Sequence, residues 1–206
     1  LNSKTLVSEL FVAGIHTDAG KTLISAILTL GLEAEYWKPV QAGTEPATDT
    51  GRVKAMTGLP EDRFHPEAYC LQMPASPHAA AAAEGITLDA ENIPTPVHDR
   101  LLLIEGAGGL MVPLRNDYLF IDWLAERKWP TVLVVPTYLG CINHSLLSLE
   151  ALKRRDIPLQ GIIFNDFGRG ESESVIARYA GVPVWGRIPQ LESFDLATLR
   201  ATFDQH

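Results

Sequence analysis

Ser8-Glu-Leu-Phe-Val-Ala-Gly-Ile-His-Thr-Asp-Ala-Gly-Lys-Thr22, continued by Leu23-Ile-Ser-Ala-Ile-Leu-Thr-Leu30, decides the fold. The apolar run Leu10 to Ala13 reads as a strand, and a turn of small and polar residues follows it. The turn closes on Gly20-Lys21-Thr22 and opens an apolar helix. Backbone N–H groups of such a turn, and of the helix start behind it, point at phosphate oxygens. Lys21 would reach the β- and γ-phosphates, and the Thr22 hydroxyl would ligate Mg²⁺. Small residues let the backbone come close to the ligand. Gly14 and Gly20 are separated by five residues, one more than the usual pattern. The order strand, turn, helix therefore carries the phosphate-loop reading, not the tripeptide alone.

Outward from this unit, short β-like runs alternate with helical stretches. Strands are expected at Leu10–Ala13, Glu35–Lys38, Arg100–Glu105, Thr131–Val135, Gly161–Asn165 and Val184–Ile188. Runs such as Leu101-Leu-Leu-Ile104 and Val132-Leu-Val-Val135 are apolar throughout, as in parallel strands covered on both faces. Helices are expected at Lys21–Leu32, Asp49–Met56, Pro77–Glu84, Leu119–Arg127, Ile142–Arg155, Ser172–Ala180 and Leu196–Phe203. In Ile142–Arg155, Ile142, Leu146, Leu149 and Leu152 recur at helical spacing. Lys153, Arg154 and Arg155 suit the negative end of that helix. The alternation implies an α/β fold, a doubly wound, mainly parallel sheet flanked by helices, of the P-loop NTPase type. Residues 1–206 read as a single P-loop α/β domain without a linker. Residues 57–100 form the irregular part, and Ala79 to Ala83 reads as a close-packed helix face.

Bulk properties narrow the function. The chain has 206 residues, a size that buries a substantial core in one domain. Its formal net charge is −8 and it has no run of lysine and arginine, which argues against nucleic-acid or anionic-membrane partners. An anionic nucleotide must then be held by local geometry and a metal ion. Two cysteines, Cys70 and Cys141, are too few for a disulfide framework and fit a cytoplasmic setting. No signal peptide and no apolar run near 18 residues is present.

Ligands of open α/β sheets sit beyond the carboxyl ends of the strands, and there the polar exceptions of this chain gather. Gly14–Thr22, Lys38-Pro-Val-Gln-Ala-Gly43, Glu105-Gly-Ala-Gly-Gly109, Pro136–His144, Asn165-Asp166 and Pro189-Gln-Leu-Glu192 follow the successive strands. Glu105 suits a second metal contact, and with Thr22 and Asp49 it would give Mg²⁺ a sparse oxygen shell completed by phosphates. The alternatives are a carboxylate closing a strand end for Glu105, and a helix N-cap for Asp49 in Thr48-Asp49-Thr50. Lys38 is stiffened by Pro39. It would stand beside Lys21 as a second cation, as suits a reaction that builds negative charge during phosphoryl transfer. Its alternative is a lysine snorkelling at a strand end. Gly140-Cys-Ile-Asn-His144 opens a helix whose free N–H groups could hold a carboxylate, unless Asn143 merely caps it. Cys141 has no basic neighbour in sequence and is not read as a nucleophile. His78 and His144 lack metal-ligand spacing. Asn165-Asp166 reads either as a contact to a purine edge or as a turn.

Together these residues make the chain resemble the dethiobiotin synthetases from about residue 10 to 192. The resemblance rests on Gly14-Ile-His-Thr-Asp-Ala-Gly-Lys-Thr22, Lys38-Pro-Val-Gln-Ala-Gly43, Ser76-Pro-His78, Glu105-Gly-Ala-Gly-Gly109, Leu139-Gly-Cys-Ile-Asn-His144, Asn165-Asp166 and Ile188-Pro189. The family's loop also carries five residues between its glycines. What the resemblance implies is a homodimeric cyclo-ligase that uses Mg²⁺, ATP as co-substrate and CO₂ on 7,8-diaminononanoate. One amine would capture CO₂ as a carbamate. The carbamate would take the γ-phosphate, and the second amine would then close the ureido ring.

Thr17, Lys21 and Lys38 match the family's catalytic positions, and Thr22, Asp49 and Glu105 its metal ligands. Asp18, Ala19, Gly20, Lys21, Thr22 and Leu23 match its nucleotide-binding stretch, as do Asp49, Glu105, Gly106, Ala107 and Gly108. Asn165 and Asp166, with Ile188, Pro189 and Gln190, match the adenine region. Ala42 matches a substrate contact, and Gly140, Cys141 and Asn143 match a helix start reaching across the dimer to the substrate carboxylate. Departures are Ala42 in place of Ser or Thr, and His16 and Asp18 where Asp and Glu are common. Two other classes fit parts of the chain. A partitioning-type ATPase would carry a lysine where His16 stands, and a non-catalytic nucleotide-binding module would have no need of Lys21, Lys38 and Glu105 together.

Overall fold

The structure is a computed structural model that describes residues 8–165 and 171–205. In chain order its first half runs β1 (Glu9–Gly14), α1 (Lys21–Gly31), β2 (Glu35–Trp37), β3 (Val40–Ala42), α2 (Asp49–Thr57), β4 (Phe64–His65), β5 (Tyr69–Leu71) and α3 (Pro77–Ala83). The second half runs β6 (Leu102–Glu105), β7 (Pro113–Arg115), β8 (Tyr118–Leu119), α4 (Phe120–Arg127), β9 (Thr131–Pro136), α5 (Cys141–Arg154), β10 (Leu159–Asn165), α6 (Glu171–Ala180), β11 (Val184–Ile188) and α7 (Leu196–Asp204). Seven strands form the main sheet in the order β11-β10-β9-β1-β6-β2-β4. Every neighbouring pair in it is parallel.

The sheet splits the core in two because strand side chains alternate between faces. On one face Phe11 and Ala13 of β1 join Leu102 and Ile104 of β6, Leu133 and Val135 of β9, and α4 and α5 through Trp123, Leu124, Leu149 and Leu152. On the other, Leu10, Val12, Leu103, Val132 and Val134 pack against Ile24, Ile27 and Leu28 of α1, with Val53 of α2 and Leu199 of α7. The strands are buried on both sides, so their sequences are apolar without alternation. The first face also holds an aromatic cluster. Trp123 meets Trp129 edge-on at 5.1 Å and Phe120 at 5.5 Å, and Trp37 lies 6.4 Å from Trp123.

The expected strands are all present with ends shifted by at most two residues, and the expected helices by at most one. The stretch 57–100, expected to be irregular, contributes two strands to the fold. β4 completes the main sheet through Tyr36↔Phe64 and Trp37↔His65, and β5 pairs with β3 in a separate two-stranded sheet. A strand of two or three residues shows no period to read. Its place is set by tertiary contacts: the Arg63 guanidinium donates to the Ala34 carbonyl from Nη2 at 2.6 Å and from Nε at 3.1 Å. Ala80 and Ala81 of α3 are buried against Leu71 and Leu88, as expected of the polyalanine face.

β1 is where the topology reverses. The chain leaves it towards β2 on one side, and β6 is followed by β9 on the other. A crevice opens at such a point beyond the strand carboxyl ends.

Candidate active site

At the carboxyl end of β1 the backbone turns through two left-handed residues, Asp18 (φ 61°) and Gly20 (φ 91°). Asp tolerates this conformation through its short polar side chain. Gly20 has a second constraint, since a Cβ there would stand 2.2 Å from Asn165 Nδ2. That amide donates to the Ala19 carbonyl at 3.2 Å, so the end of β10 braces the loop. The Lys21 ammonium folds back to donate to the His16 carbonyl at 3.2 Å. Gly20 caps α1 without a side-chain partner, which leaves the first N–H groups of the helix facing the loop cavity.

Lys38 is the first residue after β2, and as the residue before Pro39 it is confined to extended backbone. Its buried ammonium lies 2.8 Å from Asp49 Oδ2, 3.1 Å from Glu105 Oε1 and 3.0 Å from the Gly106 carbonyl. Glu105, 1% exposed, ends β6. Its Oε1 accepts from Thr22 Oγ1 at 2.9 Å and its Oε2 from the Tyr36 hydroxyl at 2.9 Å. Asp49 is not the cap of α2: Thr48 is, accepting from the Gly51 N–H at 3.0 Å. The Asp49 carboxylate is thereby left for Lys38 and comes within reach of Thr22. Gln41 fixes the start of α2, its Oε1 accepting from the Asp49 N–H at 3.0 Å.

The two lysines respond oppositely to burial. Desolvation lowers the Lys21 pKa to about 8, helped by the charge of Lys38 and opposed by Glu105 and Asp49. For Lys38 the same burial is outweighed by Glu105 and Asp49, and its pKa rises. Asp49 is pushed up by burial but falls overall, held down by Lys38. Burial, with the charge of Glu105, drives the Tyr36 hydroxyl well above its usual value, so it remains a donor.

A cavity of about 730 Å³ gathers Thr17, Asp18, Gly20, Lys21, Thr22, Lys38, Ala42, Asp49, Glu105, Ala107 and Gly108. Ala19 is buried under the loop, Leu23 packs on the core side of α1, and Gly106 does not line the cavity but accepts from Lys38 through its carbonyl. Asn165 stands behind the loop rather than in the cavity, and Asp166 lies outside the described residues. Ile188 lines a different, apolar cavity beside Trp185, and Pro189 and Gln190 are exposed. Gly140 and Asn143 are exposed at the start of α5 and do not line the phosphate-loop cavity, while Cys141 is buried in the core. Gly140 is the cap, so Asn143 does not fill that role.

Sequence reasoning missed Tyr36, Gln41 and the brace from Asn165. Tyr36 was within reach of it. Residues two apart on a strand share a face, so Tyr36 and Lys38 leave β2 on the same side as a pair, and both meet Glu105. A second cavity of about 640 Å³ shares Thr17 and Val112 with the first and continues along α5 past Met111, His144 and Leu147.

Two carboxylates, a hydroxyl and two lysines thus surround one loop built for phosphate. Hard oxygen donors of this kind suit Mg²⁺. Lys38 already stands as a cation between the carboxylates, so the residues present fit the ion.

The chain matches the AAA domain family over residues 8–198. It is 53% identical to the ATP-dependent dethiobiotin synthetase BioD of Afipia carboxidovorans, over 95% of this chain and 94% of that one. It is 50% identical to the protein of the same name from Rhizorhabdus wittichii, over 96% and 95%. Among solved structures it is similar to the septum site-determining protein MinD of Pyrococcus horikoshii, with a TM-score of 0.58, 13% identity, and 96% and 94% of the two chains covered. A ParA family ATPase from Chlorobium tepidum gives a TM-score of 0.53 at 12% identity, over 97% and 100%. At these identities the two structures share the fold with this chain.

Proposed function

The chain belongs to the ATP-dependent dethiobiotin synthetase family, and from that premise we propose how its pocket performs the ligase reaction of biotin biosynthesis. One observation carries the reading: Lys21 and Lys38 stand in one cavity with Thr22, Asp49 and Glu105.

The phosphate loop and the start of α1 hold the triphosphate of ATP. Thr22, Asp49 and Glu105 would hold Mg²⁺, which would offset charge on the phosphate oxygens. The diamine is 7,8-diaminononanoate. One of its amines adds to CO₂ and loses a proton, giving a carbamate beside Thr17 and Lys38. A carbamate oxygen attacks the γ-phosphorus, the bond to ADP breaks, and a carbamic–phosphoric anhydride forms. The second amine attacks the carbamoyl carbon, the C–O bond to phosphate breaks, and the ring closes as phosphate and a proton leave. Lys21 and Lys38 match the charge that accumulates on the transferring group, so position and charge do most of the work. The part of the second cavity lined by Leu110, Met111, Val112 and Leu147, beside Thr17, suits the alkyl chain of the substrate. The exposed start of α5 at Gly140 and Asn143 is free to meet the carboxylate of a substrate held by a second copy, in a homodimer. Cys70 and Cys141 are free thiols, which supports a cytoplasmic location. Among the described residues no helix is long and apolar enough to cross a membrane.

The test is ADP release from purified protein given ATP, Mg²⁺ and bicarbonate, with and without the diamine. Release should depend on the diamine. ATP turnover indifferent to it would overturn the reading, as a partitioning-type ATPase would behave.

A further inference from the structure

We propose that the Lys38 ammonium is the placeholder for the divalent cation, occupying the gap between Asp49 and Glu105 until a metal ion takes that position and moves it onto the reacting groups. The inference rests on the metal role proposed above for Thr22, Asp49 and Glu105, and asks what neutralises those residues before nucleotide arrives.

The geometry is specific. Glu105 is 1% exposed and Lys38 3% exposed, so a bare carboxylate here would be costly and must be matched by a cation. Asp49 Oδ2 at 2.8 Å and Glu105 Oε1 at 3.1 Å approach the same Nζ atom, and Thr22 Oγ1 touches the same Oε1 at 2.9 Å. These atoms belong to the residues assigned to the metal, and the ammonium sits between the two carboxylates. The opposite oxygen of Glu105 is held by Tyr36 at 2.9 Å, with Tyr36 fully buried. Glu105 therefore cannot follow the ammonium when it leaves. Tyr36 keeps Oε1 aimed at the gap, and only the cation on that oxygen changes. Lys38 differs here from Lys21, whose hydrogen bond is to the His16 carbonyl on the phosphate side of the loop.

Two consequences follow from charge alone. In the nucleotide-free protein a divalent ion has to displace a buried ammonium, so its affinity is low. Once the ion is seated beside a nucleotide, Lys38 has lost its carboxylate partners and its charge is free for the carbamate and γ-phosphate. Arrival of the metal thus delivers the second lysine.

The experiment is a Mn²⁺ titration of the nucleotide-free protein, followed by the electron paramagnetic resonance of free Mn²⁺, with neither ATP nor diamine present. Lys38→Met should bind Mn²⁺ at least about 10-fold more tightly than the unaltered chain, because two carboxylates are released from their counter-ion. Lys21→Met removes a charge from the same cavity without emptying the gap, and should tighten binding less than about 3-fold. Equal tightening by both variants, or none by Lys38→Met, would overturn the proposal. Should Lys38→Met fail to fold, a crystal structure of the unaltered chain with Mg-ADP decides the matter. Lys38 Nζ should then lie beyond hydrogen-bond distance of Asp49 and Glu105. An ammonium still bonded to both carboxylates would sink the idea. Neither measurement uses the ligase reaction, so their failure is distinct from the failure of diamine-dependent ADP release.

Discussion

Lys21 and Lys38 share a cavity but not a fate, because their oxygen neighbours differ. Lys38 has two carboxylates at its ammonium, whereas Lys21 donates to one carbonyl and faces the carboxylates only at a distance. Lys21 alone is therefore left with a lowered pKa, about 8. A bound nucleotide would raise it again, since the polyphosphate favours the charged form. The sign follows from linkage. Below pH 8 the free protein already carries the proton, whereas above it binding must take one up, so affinity falls as pH rises, by up to about tenfold per unit. Isothermal titration of ADP between about pH 7 and pH 9.5 checks this, and a flat affinity would contradict it. Gly20→Ala should abolish nucleotide binding by the same assay, because the left-handed backbone and the 2.2 Å approach to Asn165 Nδ2 both refuse a Cβ. Binding near the unaltered level would mean that the loop can shift. Lys38→Ala should slow diamine-dependent ADP release by more than about 100-fold with the melting profile retained, while near-normal release would remove Lys38 from the chemistry. The candidates at this scale were legible because Gly-Lys-Thr, Lys38 and Glu105 each interrupt an apolar run. Tyr36 and Gln41 were not, because one hides in an aromatic strand and the other acts through a backbone N–H.

At the scale of elements, β2 depends on a device outside the pocket. Glu35 starts this strand and is buried, yet it accepts from His65 Nε2 of β4 at 2.7 Å and from the N–H groups of Asp99 and Arg100, each at 3.2 Å, just before β6. One carboxylate thus ties three neighbouring strands, and those strands carry Lys38 and Glu105. Burial alone would raise its pKa, but the bonds from His65, Asp99 and Arg100 outweigh it and hold the group below its usual 4.5. A depressed carboxylate adds stability above its ordinary value, and that stability is lost as the pH falls through the folded-state value. Urea unfolding at about pH 6 and about pH 3.5 should show a smaller acid loss for Glu35→Gln than for the unaltered chain. Identical losses would show that Glu35 is not the group titrating. The elements legible in sequence were the six strands β1, β2, β6, β9, β10 and β11 and the seven helices α1 to α7. β3, β4, β5, β7 and β8 were not, because so short a strand is specified by its pairing, and β4 also by Arg63 beside it, rather than by its own residues.

The whole molecule is lopsided in a way that bears on its assembly. A single chain holds the phosphate loop, both lysines and both carboxylates in one cavity. The neighbouring cavity, joined to it at Thr17 and Val112, opens instead onto a face with large apolar side chains in solvent: Leu147 is 62% exposed and Met111 54%. Leu139 beside the start of α5 is 88% exposed. A second copy of the chain is the proposed occupant, which would bring the start of its α5 to a substrate lying in the second cavity. Under that arrangement nucleotide binding belongs to one protomer and substrate binding to two. Leu139→Glu separates them, since Leu139 lines neither cavity. It adds a charge to an exposed position just before α5, so the fold should persist, with a melting temperature within about 4 °C of the unaltered chain. Light scattering after size exclusion should report a dimer for the unaltered chain and a monomer for the variant. The variant should keep its ADP affinity but lose diamine-dependent release by at least about 10-fold, since a charged side chain at the contact destabilises association. If the unaltered chain runs as a monomer with full activity, the partner contributes nothing, and the second cavity must bind the substrate unaided.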